Sequence, residues 1–452
     1  MAEKLTRRYG LLTAICLVVG TVIGSGIFFR NDVIFAAVGG NMGIGIAAWG
    51  IGGLITLSFA YVFGTLASTD ESATGLTYFA EKLVSKKFGY VMSWYMATMF
   101  LPSITGVLAW VSGRFTTILF GFDTNPNFSG ETFIFALFYL ICIFAMNELS
   151  PKLSEKFHVS CTFIKVIPLI AMAIIGTVVG LANGTTVANI TDTAYHYYGG
   201  NAFFTALIAT AFAYLGWDVV VSLSKELKDV KKNLPKALTL GMLIVTTIYI
   251  AYFVGLFGAA PVESLTSGAG VMSAFSNLFG SGAGTVLFVF IIISCLGTLN
   301  GLVMASGRMF YALSSNNTGP RQEIFSQLDK ATKMPSNSMA ISLVLIAFWM
   351  LVNAGNQMGI YGDFVFDIPG LMPISFKAFM IPIFVSMIIK NKELGVFKRI
   401  ISPVFAILGA CFLIFAIFYN QGMGVLVFAL VFTIITIIGL ILKNSSPHIK
   451  KD

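Results

Sequence analysis

The stretch GTVIGSGIFFR, residues Gly20–Arg30, lies inside an apolar segment that begins at Leu11. At a helical rise of about 1.5 Å per residue, the triplet Gly24–Gly26 falls roughly 20 Å along it, near the middle of a hydrocarbon core about 30 Å thick. Glycine and serine are poor helix formers, so we predict that the helix breaks here. A break is tolerated in a membrane only inside protein or against a watery cavity. It offers free N–H groups to an anion; the alternative is that the small residues only let another helix pack closely.

Composition indicates a polytopic membrane protein. Of the 452 residues, 57% are hydrophobic and 11% are charged, and apolar runs of membrane-spanning length occur throughout. This composition excludes a soluble enzyme. The five cysteines lie in apolar runs without metal-ligand spacing and the three histidines are scattered, so no enzymatic centre, metal or cofactor is expected. The charged start leads directly into a long apolar segment, so no cleavable signal peptide is expected.

Twelve membrane spans are predicted, and they are numbered here in chain order. Each is an apolar segment long enough to cross a bilayer, and each is bounded by a more polar connection. The predicted spans are 11–38 (broken), 43–68, 89–119, 131–148, 154–181, 201–226 (broken), 235–259, 283–313, 338–354, 364–389, 401–419 and 423–442.

Basic residues are distributed asymmetrically between the connections. Lysine and arginine cluster in every second connection and at both termini. The intervening connections, which contain neither residue, are 120–130, 182–200, 260–282, 355–363 and 420–422. The positive-inside rule then predicts that both termini are cytoplasmic. The net charge of +8 therefore indicates membrane orientation and not nucleic-acid binding.

Span 6 contains a second predicted break. In the sequence TALIATAFAYLGWDVVV, residues Ala213–Gly216 fall roughly 18 Å from the entry end, which matches the depth of the first break. Spans 1 and 6 cross the membrane in opposite directions, five spans apart. Discontinuous helices in this arrangement are typical of inverted-repeat transporters with a substrate site at the bilayer midplane. The pairing favours broken helices over simple close packing.

Four basic residues lie within or at the ends of predicted spans and outside the cytoplasmic set: Arg30, Arg114, Lys165 and Lys377. Arg30 and Arg114 are near the outer ends of spans 1 and 3, where snorkelling to the surface is the ordinary expectation. Lys165 lies roughly 18 Å into span 5, where a charge is costly and functional by default. Lys377 lies within span 10, close to prolines that loosen the helix.

Several motifs in chain order resemble the amino acid–polyamine–organocation superfamily. Within it, the chain is similar to bacterial relatives of the L-type amino acid exchangers, especially those of the serine/threonine type. The matching motifs are GTVIGSGIFF at 20–29, FIKVIPLIA at 163–171, FAYLGW at 212–217, KELKDVKKNLPKAL at 225–238 and CLGTLNG at 295–301.

The resemblance implies an all-α, leucine-transporter-like fold in a single transmembrane domain. Two inverted repeats of five spans, 11–181 and 201–389, are followed by two peripheral helices in 401–442. Helices 1 and 6 are the broken ones. The expected location is the plasma membrane.

The resemblance also implies a substrate site at the two breaks. The N–H groups of Ser25, Gly26 and Ile27 would bind the substrate carboxylate, and carbonyl groups near Ile23 and in the second break would bind its amino group. Phe212 matches an aromatic gate, although it could be an ordinary core residue. The full expected substrate-binding set is Ile23, Gly24, Ser25, Gly26, Ile27, Phe212, Ala213, Tyr214, Leu215, Gly216 and Asp218.

Lys165 matches a lysine that sodium-independent members of the superfamily carry in span 5. The resemblance implies that its ammonium replaces a bound sodium ion and bonds carbonyl groups around Gly20 and Ile23. Ser294 in span 8 is a candidate third partner. A purely structural lysine that ties helices together is the alternative.

Asp218 and Lys377 depart from the pattern of this subfamily, so the substrate is left open. Asp218 could accept a bond from a substrate amine or carry a proton. Lys377 could face the cavity and select an acidic side chain, pair with Asp218, or snorkel toward the surface. Sequence alone does not distinguish these alternatives.

The sequence therefore predicts a sodium-independent amino acid transporter that works by alternating access, most simply an exchanger of small or neutral L-amino acids. The alternatives are a proton-coupled symporter, a diamine or cationic amino acid antiporter, and a membrane receptor that binds without transport. The substrate and the lipid bilayer are the expected partners. Animal relatives attach to a heavy chain through a cysteine after span 3, and the connection here has none, so no disulfide-linked partner is expected.

Overall fold

Helices long and apolar enough to cross a membrane dominate the structure. The computed structural model describes residues 10–70, 75–122, 130–191, 201–222, 227–267, 270–362, 364 and 367–443, and these contain no β-strand. Within this part of the chain there are eleven such helices, or twelve when a pair bent by 50° counts as one span. The spans are Leu11–Val22 with Gly26–Val38, Met42–Thr69, Lys86–Phe120, Gly130–Leu149, Pro151–Ala182, Ala202–Val221, Val230–Ala259, Gly270–Ser315, Ser336–Gln357, Ile368–Lys390, Phe397–Gln421 and Met423–Leu442. The predicted all-α, multi-pass fold is confirmed.

Span 8 differs most from its predicted bounds. A helix begins at Gly270, inside the segment predicted as a connection, and the chain turns sharply at Gly280 before continuing to Gly307. The turn requires glycine because its φ of 78° lies in the region that side chains disfavour. A second short helix, Thr185–Thr191, also lies in a predicted connection. The predicted end of span 6, residues 223–226, lies outside the described residues.

The chain forms two compact units, and the first contains both broken spans. It comprises Met1–Gly89, Pro168–Leu287 and Pro373–Asn420. Span 7 is its central helix and packs against span 2, the first half of span 1 and the second half of span 5. Glycines permit close backbone approach there: a Cβ on Gly176 would lie 2.4 Å from the Gly255 carbonyl oxygen.

The second unit comprises Tyr90–Ile167, Phe288–Met372 and Gln421–Asp452. Side chains at the start of span 3 donate hydrogen bonds to backbone carbonyls of span 12. Tyr90 Oη donates to Gly439 O at 2.7 Å, and Trp94 Nε1 donates to Ile435 O at 2.9 Å. These bonds satisfy the polar tips of aromatic side chains that would otherwise be buried without a partner.

Candidate functional site

At the first break, one helix ends and a second helix begins after three non-helical residues. Leu11–Val22 ends where Ile23 becomes extended, with ψ 100°, and a new helix starts at Gly26. The first backbone bonds of that helix are donated by Phe28 and Phe29 to Ser25 O. No backbone–backbone bond within the described chain is donated by the N–H groups of residues 25–27. This is the free first turn of a helix, where the backbone presents donors and a partial positive charge.

The side chain of Ser25 adds an unused donor at the same place. The residue is 1% exposed, and its hydroxyl has no hydrogen-bond partner among the described residues. An unsatisfied buried hydroxyl costs free energy, so native proteins rarely keep one without a reason. The hydroxyl and the free N–H groups together form a compact set of donors.

The second break interrupts span 6 between Ala213 and Asp218. Ala202–Ala213 is helical, the next four residues are not, and a short helix resumes at Asp218. Gly216 has a φ of 104°, a backbone conformation that requires glycine. The predicted break at 213–216 therefore agrees with the structure to within a residue.

The two breaks lie in direct contact. A Cβ on Gly26 would lie 2.7 Å from Ala213 Cα, closer than real Cβ contacts come. A Cβ on Gly216 would lie 2.6 Å from the carbonyl oxygen of Thr21. Glycine at both positions thus lets one broken helix press its backbone against the other.

Tyr249 of span 7 bridges the two breaks. It is fully buried, and its hydroxyl lies 3.0 Å from Val22 O and 3.0 Å from Ala213 O. Its ring packs 5.2 Å from the rings of Tyr214 and Trp49. One hydroxyl thus binds the terminal carbonyls of both interrupted helices.

Phe212 packs against the other half of span 1. It is 7% exposed, and its ring meets Phe29 edge-on at a centroid distance of 5.1 Å. Arg30, next to Phe29, donates from Nε to Ala209 O at 3.1 Å. The expected snorkelling of Arg30 is therefore wrong: the side chain is buried because a carbonyl of span 6 accepts its hydrogen bond.

Lys165 and Ser294 both belong to the second unit. Lys165 is 6% exposed at the point where the helix Pro151–Ile164 ends, and Ser294 is 1% exposed. The Ser294 hydroxyl has no hydrogen-bond partner among the described residues. Gly20 belongs to the first unit, and the bonds of Lys165 to carbonyls around Gly20 and Ile23 stay predictions.

Spans 5 and 8 run antiparallel, and contacts between pairs of residues define their register. Ser154 Oγ lies 3.0 Å from Asn300 Oδ1, and His158 Nδ1 lies 3.0 Å from Gly297 O. A Cβ on Gly297 would lie 2.3 Å from Cys161 Cβ. One further helical turn along each span puts Lys165 level with Ser294.

Asp218 and Lys377 both belong to the first unit. Lys377 is 2% exposed, so the snorkelling alternative is wrong. Asp218 is partly exposed at the start of its short helix. The pairing of Asp218 with Lys377, and the entry of either side chain into a substrate cavity, stay predictions.

Comparison with known proteins identifies the family. Residues 9–441, nearly the whole chain, match the family described as amino acid permease. The chain belongs to this family. The predicted membership of the amino acid–polyamine–organocation superfamily is thereby confirmed.

Curated relatives of this permease are amino acid transporters of bacteria and animals. The serine/threonine exchanger SteT of Bacillus subtilis (strain 168) is 28% identical over 91% of each chain. The cystine/glutamate transporter of Homo sapiens is 24% identical over 76% of this permease and 68% of that protein. The b(0,+)-type amino acid transporter 1 of Mus musculus is 23% identical over 91% of this permease and 83% of that protein. These relatives are transporters and not enzymes.

Sequence reasoning missed Tyr249 at the centre of this permease's paired breaks. The signal was present as Tyr249 and Tyr252, two hydroxyl-bearing residues in a long apolar span. A buried tyrosine hydroxyl needs a partner, and helix ends with free carbonyls are the partners available in a membrane. The structure alone shows that Tyr249 reaches such ends.

Proposed function

We propose that this permease is a sodium-independent exchanger of small or neutral L-amino acids that works by alternating access. The observation that carries the proposal is the direct contact of two broken helices through Gly26 and Ala213, next to free N–H groups and the unused Ser25 hydroxyl. A zwitterion needs donors for its carboxylate and acceptors for its amino group within one dry site. Both are available where these helices break.

In this proposal, the N–H groups of Ser25, Gly26 and Ile27 bind the carboxylate. The Ile23 carbonyl and the carbonyls of the second break bind the amino group. Ala213 O already accepts a bond from Tyr249, but a carbonyl oxygen has two lone pairs and can accept a second donor. Phe212 closes over the substrate as a gate, supported by its contact with Phe29. The remaining members of the proposed lining are Gly24, Tyr214, Leu215 and Gly216.

The proposed organisation has two inverted repeats, 11–181 and 201–389, with 401–442 at the periphery. We also propose that the protein lies in the plasma membrane with both termini cytoplasmic, because basic residues concentrate in alternate connections. It works without a disulfide-linked heavy chain. A purified single chain should therefore transport on its own.

Exchange of L-serine by proteoliposomes tests the function. L-Serine is chosen as the probe because the bacterial relative SteT is a serine/threonine exchanger. Labelled L-serine should enter liposomes loaded with unlabelled L-serine and should not accumulate in empty ones. Replacing sodium by choline should change nothing, and a pH gradient alone should not drive uptake. Equal uptake by empty liposomes would contradict exchange, and strict sodium dependence would contradict the proposed coupling.

The proposed role of Lys165 is to supply the positive charge that a bound sodium ion would otherwise provide, with Ser294 as a neighbouring ligand. Lys165→Ala should then slow exchange severely while substrate binding weakens less. Lys156→Ala is the matched control, because Lys156 is exposed on the same helix. Initial exchange rates and equilibrium binding of labelled L-serine check the two effects separately. Full-rate exchange by Lys165→Ala would overturn this role.

A further inference from the structure

A buried asparagine side chain contacts the turn that carries the free N–H groups of the first break. Asn31 is fully buried and belongs to the helix Gly26–Val38. Its Nδ2 amide donates a hydrogen bond to Ile27 O, four residues earlier in the chain. Ile27 is one of the three residues, 25–27, whose N–H groups donate no backbone–backbone bond within the described chain. The Asn31 side chain therefore acts on the first turn of this helix.

The oxygen of the same amide is bound by a different span of the first unit. Trp49 of span 2 donates from Nε1 to Asn31 Oδ1 at 3.3 Å. Trp49 is fully buried, and its ring meets the ring of Tyr249 edge-on at a centroid distance of 5.2 Å. The Asn31 amide thus connects a carbonyl of the first turn to a side chain that is itself held by packing.

Helix formation alone does not explain an asparagine at this position. Asparagine is a poorer helix former than leucine, because its side chain competes for backbone hydrogen-bonding groups. Polar side chains within a membrane span are also costly, and those that are kept commonly have a function. Both polar ends of the Asn31 amide have partners, and one of these partners belongs to the proposed substrate site.

The first turn of a helix is held less firmly than its interior, because its N–H groups have no partner within the helix. Donors that are fixed before a ligand arrives bind it more tightly, since less freedom is lost on binding. We propose that Asn31, fixed by Trp49, is a positioning residue that holds the first turn of Gly26–Val38 in the orientation that binds the substrate carboxylate. This inference rests on the proposed function and adds to its site a residue that acts through the backbone donors.

Equilibrium binding of labelled L-serine to purified protein tests the inference, because it measures the affinity separately from the number of sites. Asn31→Leu keeps a side chain of similar size and removes the amide. It should weaken the affinity about tenfold, the effect of roughly one lost hydrogen bond, and leave the number of sites per folded protein unchanged. A merely structural role would lower the melting temperature or the number of sites and leave the affinity of the remaining sites as it was.

Asn189→Leu is the matched control. Asn189 is also buried in the first unit, and its Nδ2 donates to Phe257 O at 2.7 Å and to Ala260 O at 2.9 Å, where span 7 ends. Its loss should lower the melting temperature and leave the affinity for L-serine unchanged. Weakening of the affinity by Asn189→Leu equal to that by Asn31→Leu would overturn the inference, because any lost asparagine bond would then have the same effect.

Trp49→Phe removes the donor to Asn31 Oδ1 and leaves the bond to Ile27 O in place. It should weaken the affinity in the same direction and by less, and it serves as the test should Asn31→Leu not be recovered folded. Since both side chains act through one link, the double variant should bind no more weakly than Asn31→Leu alone. Unchanged affinity in a folded single variant, or additive losses in the double variant, would overturn the inference. Failure of wild type to bind and exchange L-serine would instead contradict the proposed function.

Discussion

The two broken helices meet in one place but are built in different ways. The first break spans Ile23–Ser25, uses no left-handed backbone, and leaves the Ser25 hydroxyl and several N–H groups unused. The second break needs a positive φ at Gly216, and its aromatic side chains, Tyr214 and Trp217, are buried. Tyr214 is fully buried and donates from its hydroxyl to Trp49 O at 2.8 Å.

The difference indicates a division of roles. The Tyr214 hydroxyl of the second break already has a partner, whereas the Ser25 hydroxyl of the first break has none among the described residues. An unused buried donor is available to a ligand. Substitutions at the first break should therefore act mainly on substrate handling. Removal of the Tyr214 hydroxyl at the second break should act mainly on stability.

The largest effect is expected where the breaks touch. Gly26→Val should abolish exchange, because a Cβ there would lie 2.7 Å from Ala213 Cα and would force the helices apart. Gly50→Val in span 2 is the control, since the nearest atom to a Cβ at Gly50 is a flexible Ile250 methyl at 4.0 Å. Proteoliposome exchange is measured beside size-exclusion profiles of both variants. Undiminished exchange by a folded Gly26→Val variant would contradict the proposed site.

A smaller effect is expected at the bridge between the breaks. Tyr249→Phe removes the donor shared by Val22 O and Ala213 O, and loss of a buried hydrogen bond of about 1–3 kcal/mol should slow exchange roughly tenfold or more. Tyr252→Phe is a matched control one turn away, because the buried Tyr252 hydroxyl has no hydrogen-bond partner in the described chain. If both variants exchange at the same rate, the bridge has no part in transport.

The smallest effects are expected from removing one hydroxyl at each break, and these two variants compare the breaks most directly. Ser25→Ala should weaken L-serine binding several-fold without lowering thermal stability, because its hydroxyl makes no hydrogen bond to lose. Tyr214→Phe should do the reverse and lower the free energy of unfolding by about 1 kcal/mol, as expected for one lost internal bond. Binding isotherms for L-serine measure the first effect, and melting temperatures of both variants measure the second. A loss of stability in Ser25→Ala equal to that in Tyr214→Phe would erase the distinction.

Local sequence was sufficient to predict the spans and both breaks. Apolar length predicted the spans, with close agreement for span 1 and for Met423–Leu442. Glycine and serine at Gly24–Gly26 are poor helix formers, so the first break can be predicted from its own residues without knowledge of the neighbouring spans. Gly216 marks the second break in the same way.

Contacts between distant segments could not be read from the sequence. The bridge by Tyr249 and the burial of Lys377 depend on how separate spans are aligned, and no local pattern encodes that alignment. Arg30 is a residue for which position along the span gave the wrong prediction. Its place near a span end predicted exposure, but the nearby Ala209 carbonyl made burial favourable.

The bridge by Tyr249 has a consequence for how an empty site differs from an occupied one. A hydroxyl has one hydrogen to donate, and Tyr249 faces two carbonyl oxygens at equal distance, so at any instant one helix end lacks this donor. The ammonium of an amino acid brings three hydrogens to the same pair of helix ends. Arrival of substrate would thus replace a shortage of donors with a surplus. The occupied site would then differ from the empty one in the number of hydrogen bonds that these helix ends accept.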